Sequence, residues 1–474
     1  MTKRCFLTAL TMPLWVGLPL AAQAPIAFVN ARILTMTDAG TIEAGTIVVR
    51  DGRISAVGAD VKAPPGAQVV DVAGGTVMPG LVHAWSRAGT QSGRPTGPSM
   101  TPPAPRGRGG RGEGGGGSPG PGAVNRASTK IADGLYDRQP IFGELLREGV
   151  TTLVVHPEAT GFAGLAARLA PNVGPEVPLT IADEVYLVVD PAPSPKAGKA
   201  MKDALDAAQK VLDERRKPKE EPKPAEPAKA DAEARPAAGG EAKTGEQPKP
   251  AEKPKEGEQP KEGEKPAQDP KAEAAKPAEK KPEPKKDPNV EVLADLLDGK
   301  RRTFLRLSTA MEIQHYRAAL KDHDFEAVLV ADEVDPRSGL LSEELEWLRK
   351  RAKIVLTQPN LQQVPNTRVL LNPPAELVAA GFELGFVLGD DPRQIRGLMF
   401  DLMELVRCGL PAEHALRAVT AVPAKALGLE AEVGSIAEGR RADLLVFTGD
   451  PLDPTSRLRS VYLEGHATET QADR

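Results

Sequence analysis

Asn30-Ala31-Arg32-Ile33-Leu34, Val49-Arg50-Asp51-Gly52-Arg53-Ile54 and Val77-Met78-Pro79-Gly80-Leu81-Val82 carry most of the architectural information in this 474-residue chain. Residues 25–75 read as β structure. Ile47-Val48-Val49 and Ile54-Ser55-Ala56-Val57 flank Asp51-Gly52, the pair that a two-residue type I′ hairpin turn favours because both central residues need positive φ. Val69-Val70-Asp71-Val72 is a further short strand. The other end of the chain has the same character: Ala442–Phe447 and Leu458–Leu463 read as strands separated by the turn-rich Thr448-Gly449-Asp450-Pro451. β segments at opposite ends can pair into one small domain, with the middle of the chain inserted between them.

The middle alternates strand and helix signals. Strands are expected at Thr76–Val82, Thr151–Val155, Val185–Val189, Phe304–Leu307, Ala327–Val330, Ile354–Leu356 and Leu384–Leu388. Helices are expected at Ile141–Glu148, Ala310–Lys321, Ser342–Arg351, Pro374–Ala380, Pro392–Cys408 and Pro411–Val419. Repeated β-then-α units argue for a parallel sheet, open or closed.

Three segments stand outside this pattern. Residues 1–24 read as a secretory signal: Lys3 and Arg4 precede the apolar Phe6–Leu20, and Ala22-Gln23-Ala24 has the small residues of a cleavage site. The chain is therefore expected to be exported, periplasmic or extracellular. Residues 89–125 are rich in Gly, Pro and Arg. Residues 215–288 are almost entirely Lys, Glu, Ala, Pro, Gly and Gln. Such a composition cannot bury enough apolar surface to offset its ordering entropy, so a solvated spacer is expected, available for contact with the envelope. The net charge of −4 gives no electrostatic argument for nucleic acid. No apolar run of about 18 residues follows the start, which excludes a membrane-spanning channel. With Cys5 in the signal, only Cys408 remains, so a disulfide scaffold is excluded; Cys408 reads as a small core residue.

The motifs at both ends resemble the amidohydrolase superfamily, in particular its imidazolonepropionase-like and exported members. Besides the opening stretches, the resemblance rests on Gly149-Val150-Thr151-Thr152, Leu416-Arg417-Ala418-Val419-Thr420, Pro423-Ala424, Leu427-Gly428-Leu429, Gly434-Ser435-Ile436-Ala437-Glu438-Gly439, Ala442-Asp443-Leu444 and Gly449-Asp450-Pro451-Leu452. It implies a distorted (β/α)8 TIM-like barrel plus a small β-sandwich domain formed from both chain ends. The expected organisation is 25–75 and 431–474 in the sandwich, 76–214 and 289–430 in the barrel. It also implies hydrolysis of C–N bonds with one or two divalent metals, held by a His-x-His pair after the first barrel strand, later histidines and a last-strand Asp.

The residues at those positions depart from the pattern. Where the family has Asp-Ala-His-x-His, this chain has His83-Ala84-Trp85-Ser86-Arg87. Indole has no metal-binding lone pair and guanidinium is a permanent cation. A later histidine falls at Arg306, the bridging-lysine position lies near Leu187, and Ala331-Asp332 follow the next strand without histidine. Leu388-Gly389-Asp390-Asp391-Pro392 retains the last acidic residue, assigned to Asp391, with Asp390 as a partner for an Arg. Arg87 and Arg306 are expected to balance the retained carboxylate in place of the ion. No cofactor is expected on this reading, and the chain is expected to be a pseudoenzyme that binds a small molecule or none. The alternative is an active hydrolase with Zn held in a rebuilt site by His156, Glu158 and Asp391. His315 and His323 are expected at the surface.

Overall fold

The computed structural model describes residues 24–90, 125–170, 180–191, 195–216, 287–320, 323–332, 344–364 and 366–468. The signal at 1–24, the Gly/Pro/Arg segment at 89–125 and the spacer at 215–288 lie outside these residues, apart from their margins.

The chain opens with β1 (Ile26–Leu34), β2 (Thr41–Arg50), β3 (Arg53–Gly58), β4 (Gln68–Asp71) and β5 (Thr76–Pro79). β2 and β3 form the expected hairpin: Asp51 has φ 49° and Gly52 φ 75°, the two positive angles that a type I′ turn requires. β6 (Leu81–Ser86) follows β5 after one residue. The sequence read 76–82 as a single strand starting the inner domain, and this is corrected. β5 pairs with β1, whereas β6 pairs in parallel with β7 (Val150–Val155) in another sheet. Gly80 is the switch between them; a Cβ there would stand 2.1 Å from Thr151 Oγ1, so the close approach excludes any side chain.

Between β6 and β7 comes α1 (Pro140–Arg147), and after β7 come β8 (Gly161–Leu165), β9 (Ala167–Ala170), β10 (Thr180–Ala182) and β11 (Leu187–Asp190). Strands β8 to β10 were not anticipated, because Gly161 and Gly164 weaken the strand signal. Two helices, α2 (Pro195–Arg216) and α3 (Pro288–Leu297), flank the spacer. α2 was also missed; it is a polar helix that buries only a stripe, Met201, Leu205, Ala208 and Leu212. The sequence boundary of the spacer at 215 thus falls inside its last turn.

The alternating pattern then runs as expected. It comprises β12 (Thr303–Arg306), α4 (Ala310–Leu320), β13 (Val328–Ala331), α5 (Leu345–Arg349), β14 (Ile354–Thr357), the small hairpin β15 (Gln362–Gln363) and β16 (Leu370–Leu371), α6 (Pro373–Ala379), β17 (Glu383–Phe386) and α7 (Pro392–Arg407). Two short helices, α8 (Ala412–Arg417) and α9 (Ala421–Leu427), lead to β18 (Leu444–Phe447), β19 (Leu458–Leu463) and β20 (His466–Thr468).

The two chain ends do pair. β20-β19-β18-β5-β1-β2-β3 is one continuous sheet, with β4 also on β1, eight strands in all. β18 from the C-terminal end lies antiparallel to β5 from the N-terminal end. The remaining strands form a four-stranded sheet, β10-β9-β7-β6, and a six-stranded sheet, β17-β14-β13-β12-β11-β8. In the latter, β11, β12, β13, β14 and β17 are parallel neighbours and β8 is antiparallel to β11.

These two sheets face a common interior. Val82, Val154, Val188, Phe304, Val330 and Leu356, from six different strands, share one apolar cluster. The alternate residues, including Leu153, Leu187, Leu305, Leu329 and Val355, belong to the outer layer packed with the helices. Burial on both faces is what parallel strands with crossover helices demand. Residues 418–419 join the outermost strands of the two sheets: Phe386 N–H donates to Ala418 O at 2.7 Å, and Val82 N–H donates to Val419 O at 3.0 Å. Among the described residues, no helix is long and apolar enough to cross a membrane. Cys408 is exposed at the end of α7, not in the core. His323 is buried and hydrogen-bonds Asp206 of α2 at 2.8 Å, which corrects its expected surface placement.

Candidate functional site

The C-terminal ends of the parallel strands converge on Trp85. The pairing of β6 with β7 shifts register between His83 and Ser86, so Ala84 and Trp85 both enter the interior cluster. The indole lies over His156 with ring centroids 3.8 Å apart and planes at 22°. Phe304 is parallel to it at 6.1 Å, and Tyr186 stacks on Phe304 at 3.8 Å. The Tyr186 hydroxyl, fully buried, donates to Ala84 O at 2.8 Å, and burial pushes its pKa well up. Four rings thus fill the upper interior as a layered stack, a dense apolar plug under the strand ends.

Above the stack, three neighbouring strands end in charge. Asp190 closes β11, Arg306 closes β12, and Asp332 follows β13. Arg306 Nε donates to Asp332 Oδ1 at 2.6 Å, and its Nη1 reaches Asp190 Oδ2 at 3.5 Å. The other oxygen of Asp332 accepts from Trp85 Nε1 at 2.9 Å. Gln358, after β14, donates to the Asp332 carbonyl. Burial pushes the Asp190 pKa up to about 6, a rise that the Arg306 charge opposes and the Asp332 and Glu312 charges reinforce.

A second carboxylate centre lies between β6 and the end of β17. Asp390 accepts from Ser86 Oγ at 2.5 Å, from the Arg87 backbone N–H at 3.1 Å and from His83 Nε2 at 3.2 Å. Burial alone would raise its pKa. The His83 hydrogen bond and charge, with Ser86 and the Arg87 N–H, outweigh burial and hold it down at about 2. An ionised carboxylate only accepts, so His83 carries its proton on Nε2. Ser86 bonds the aspartate and not the imidazole, which is not the arrangement of a nucleophile activated by a base.

The structure redistributes the sequence-assigned roles. Asp391 is not the retained site carboxylate: it is the N-cap of α7, exposed, and accepts from Arg393 N–H at 2.8 Å. Asp390 holds the interior position instead. Arg87 does not pair with Asp391; its guanidinium turns outward to Glu158 at 3.0 Å, both side chains being exposed. Arg306 does balance carboxylates, those of Asp190 and Asp332. The alternative set of His156, Glu158 and Asp391 is not brought together: His156 is buried in the stack with Nδ1 bonded to Pro157 O, Glu158 is held by Arg87, and Asp391 caps its helix. Desolvation pushes the His156 pKa down to about 4, so the ring is neutral at pH 7.

A metal ion is what the sequence resemblance implies for such a strand-end site. The residues present do not fit one. The positions assigned to the imidazole pair carry an indole and an outward guanidinium, and the neighbouring carboxylates are engaged by Arg306, Trp85 and Ser86. Among the described residues, no group of three or more His, Cys, Asp or Glu side chains could hold an ion. What remains is a polar cavity of about 620 Å³, whose lining includes Trp85, Arg87, His156, Asp332, Gln358 and Asp390.

Trp85, Arg306 and Asp332 were legible from strand-end position. Asp190, His83 and Ser86 were missed as partners; the only available signal was that Asp190 ends the apolar run Leu187-Val188-Val189.

Comparison with known proteins agrees with the resemblance. Residues 340–468 match the model of the amidohydrolase family. Across 94% of this chain and 100% of the other, the fold superposes on the crystal structure of an amidohydrolase from Thermotoga maritima with a TM-score of 0.62 at 18% identity. The matched C-terminal segment is amidohydrolase-like, and the chain has the mixed α/β fold of that solved amidohydrolase. A 67-residue stretch is 44% identical to 5'-deoxyadenosine deaminase of Methanosarcina mazei and, over an equal length, 41% identical to that of Methanosarcina acetivorans. Each match covers 14% of this chain and 15% of the relative.

Proposed function

We propose that this protein is an exported amidohydrolase-superfamily member that has given up metal-assisted hydrolysis and acts in the cell envelope as a binding or scaffold protein. The 418–419 bridge between the two inner sheets supports reading them as a distorted (β/α)8 barrel, with the strand ends around Trp85 as its mouth. The eight-stranded sheet of the chain ends is the small satellite β domain, sandwich-like in the family reading. The partial likeness to deaminases supports descent from enzymes that hydrolyse C–N bonds.

The observation that carries the functional reading is the place of Trp85. An indole stacked on His156, its N–H committed to Asp332, fills the position where the family pattern calls for a metal-bound imidazole. An ion there would have to displace a packed aromatic ring and then bind without the two expected nitrogens. Metal activation of water depends on such a first coordination sphere. The mouth cavity remains as a binding surface for a small molecule, and the Lys/Glu/Pro spacer as a contact with envelope material. Export follows from the basic, apolar and small-residue order of residues 1–24.

The test is turnover. Purified protein is incubated with N-acyl amino acids, dipeptides, a cyclic amide and an adenine nucleoside, with zinc or manganese added. No hydrolysis above background is expected. Turnover that disappears in Asp390→Asn would overturn the reading.

A further inference from the structure

We propose that the mouth is a cation site that the chain occupies with its own side chain: the Arg306 guanidinium stands between Asp190 and Asp332, and an external guanidinium is what the site accepts once that side chain is removed. The inference rests on the metal-free reading above and extends it from what is missing to what has taken over.

The placement follows from the sheet. β11, β12 and β13 are hydrogen-bonded parallel neighbours, with Val189 opposite Leu305 and Arg306 opposite Val330. Asp190 therefore lies beside Arg306, about 5 Å away in the sheet direction, while Asp332 lies two residues beyond the Val330 that faces Arg306 and is reached by the long side chain. The central one is a cation and the outer two are anions. All three side chains are about three-quarters buried. Screening by water is weak at that depth, so removing the central charge leaves two carboxylates to repel each other and to bear their own desolvation.

The contacts favour guanidinium over a point charge. Arg306 engages the two carboxylates from different nitrogens, Nε toward Asp332 and Nη1 toward Asp190; an ammonium has no such planar fork. Asp332 is held in place from its far side, because its second oxygen accepts from Trp85 Nε1 and its carbonyl accepts from Gln358. Asp190 keeps a raised pKa despite the cation, as a group does when its burial is only partly compensated. The acidic frame is thus rigid and is completed by the fork from its middle strand.

The experiment is chemical rescue. Arg306→Ala is expected to lower the melting temperature by roughly 5 °C or more. Millimolar ethylguanidinium chloride should restore most of that loss and bind measurably by calorimetry, while ethylammonium chloride should do neither. Wild type should respond to neither salt. The double variant Arg306→Leu with Asp332→Asn removes one charge of each sign, and the amide oxygen still accepts from Trp85. It should be more stable than Arg306→Ala. An Arg306→Ala protein as stable as wild type, or rescue that is absent or equal for both salts, overturns the proposal. If Arg306→Ala does not fold, a double variant no easier to fold overturns it equally. Elemental analysis of the same wild-type preparation separates the two failures. A bound divalent metal defeats the metal-free reading; metal-free protein with no rescue defeats only this inference.

Discussion

The C-terminal segment from Leu416 to Phe447 and the mouth around Trp85 differ in how closely they follow the amidohydrolase pattern. The first lies within the segment that matches the amidohydrolase family model and ties the fold together. Ala418 and Val419 carry the backbone bridge between the two inner sheets. Asp443, 4% exposed, accepts from Glu464 N–H at 3.0 Å and from Arg441 Nε at 2.7 Å, and Arg441 in turn donates to Thr151 O of β7 at 3.3 Å, joining the end sheet to the inner domain. The mouth, by contrast, holds a stack of rings and a strand-end ion network. On the metal-free reading proposed above, buried strand-end carboxylates are balanced by a cation of the chain itself and the interior below them is filled by rings.

The comparison predicts unequal responses to substitution. Asp443→Ala should be among the most damaging single changes. It leaves Arg441 buried without its counter-ion, at a cost of about 3–5 kcal/mol, measured by denaturant unfolding. Trp85→Ala should cost a similar amount, roughly 3–5 kcal/mol, by opening a cavity in the ring stack. If Trp85→Ala costs less than about 1 kcal/mol, the mouth is not packed in the way proposed.

His156→Phe sharpens the same contrast through pH. The native ring resists protonation down to about 4, whereas an unfolded histidine titrates near 6.5. Between those values the unfolded state binds more protons, so His156 makes stability fall as pH drops from about 6.5 to 4, by roughly 3 kcal/mol. Asp190 acts in the opposite sense. Its native pKa of about 6 lies above the unfolded value, so its contribution declines as pH rises from about 4 to 6. The two slopes oppose each other in wild type. Replacing His156 by Phe preserves stacking and removes one slope, so stability should then fall less steeply toward acid between pH 6.5 and 4 than in wild type. A variant that loses stability toward acid as steeply as wild type would show that His156 is not the titrating group.

Arg87→Ala should have the smallest effect, under about 1 kcal/mol, because its ion pair with Glu158 is exposed and screened. A large loss would restore the interior role that the sequence assigned to Arg87.

How much of this was readable beforehand depends on the range of the interaction. The Asp51-Gly52 hairpin and the β-then-α order are local or periodic signals and appear in the fold, whereas the pairing of the chain ends is long-range: the β character of both ends allowed it and the family resemblance implied it. The single strand drawn across 76–82 failed because a change of sheet at Gly80 leaves no mark on hydrophobic pattern; the clash with Thr151 is a tertiary fact. The misassignment of Asp391 was avoidable. Pro392 is the first residue of α7, and a proline there makes the preceding Asp a natural N-cap. That leaves Asp390 for the interior. The Asp190–Arg306–Asp332 arrangement could not be read from spacing, since 116 residues separate Asp190 from Arg306 and only strand order brings them side by side.

Metal content tests the central claim most directly. Protein purified without added metal and analysed for zinc, manganese, nickel and iron should contain far less than one ion per chain, and a chelator should leave its melting temperature unchanged. One tightly held divalent ion per chain, whose removal lowers the melting temperature, would contradict the account.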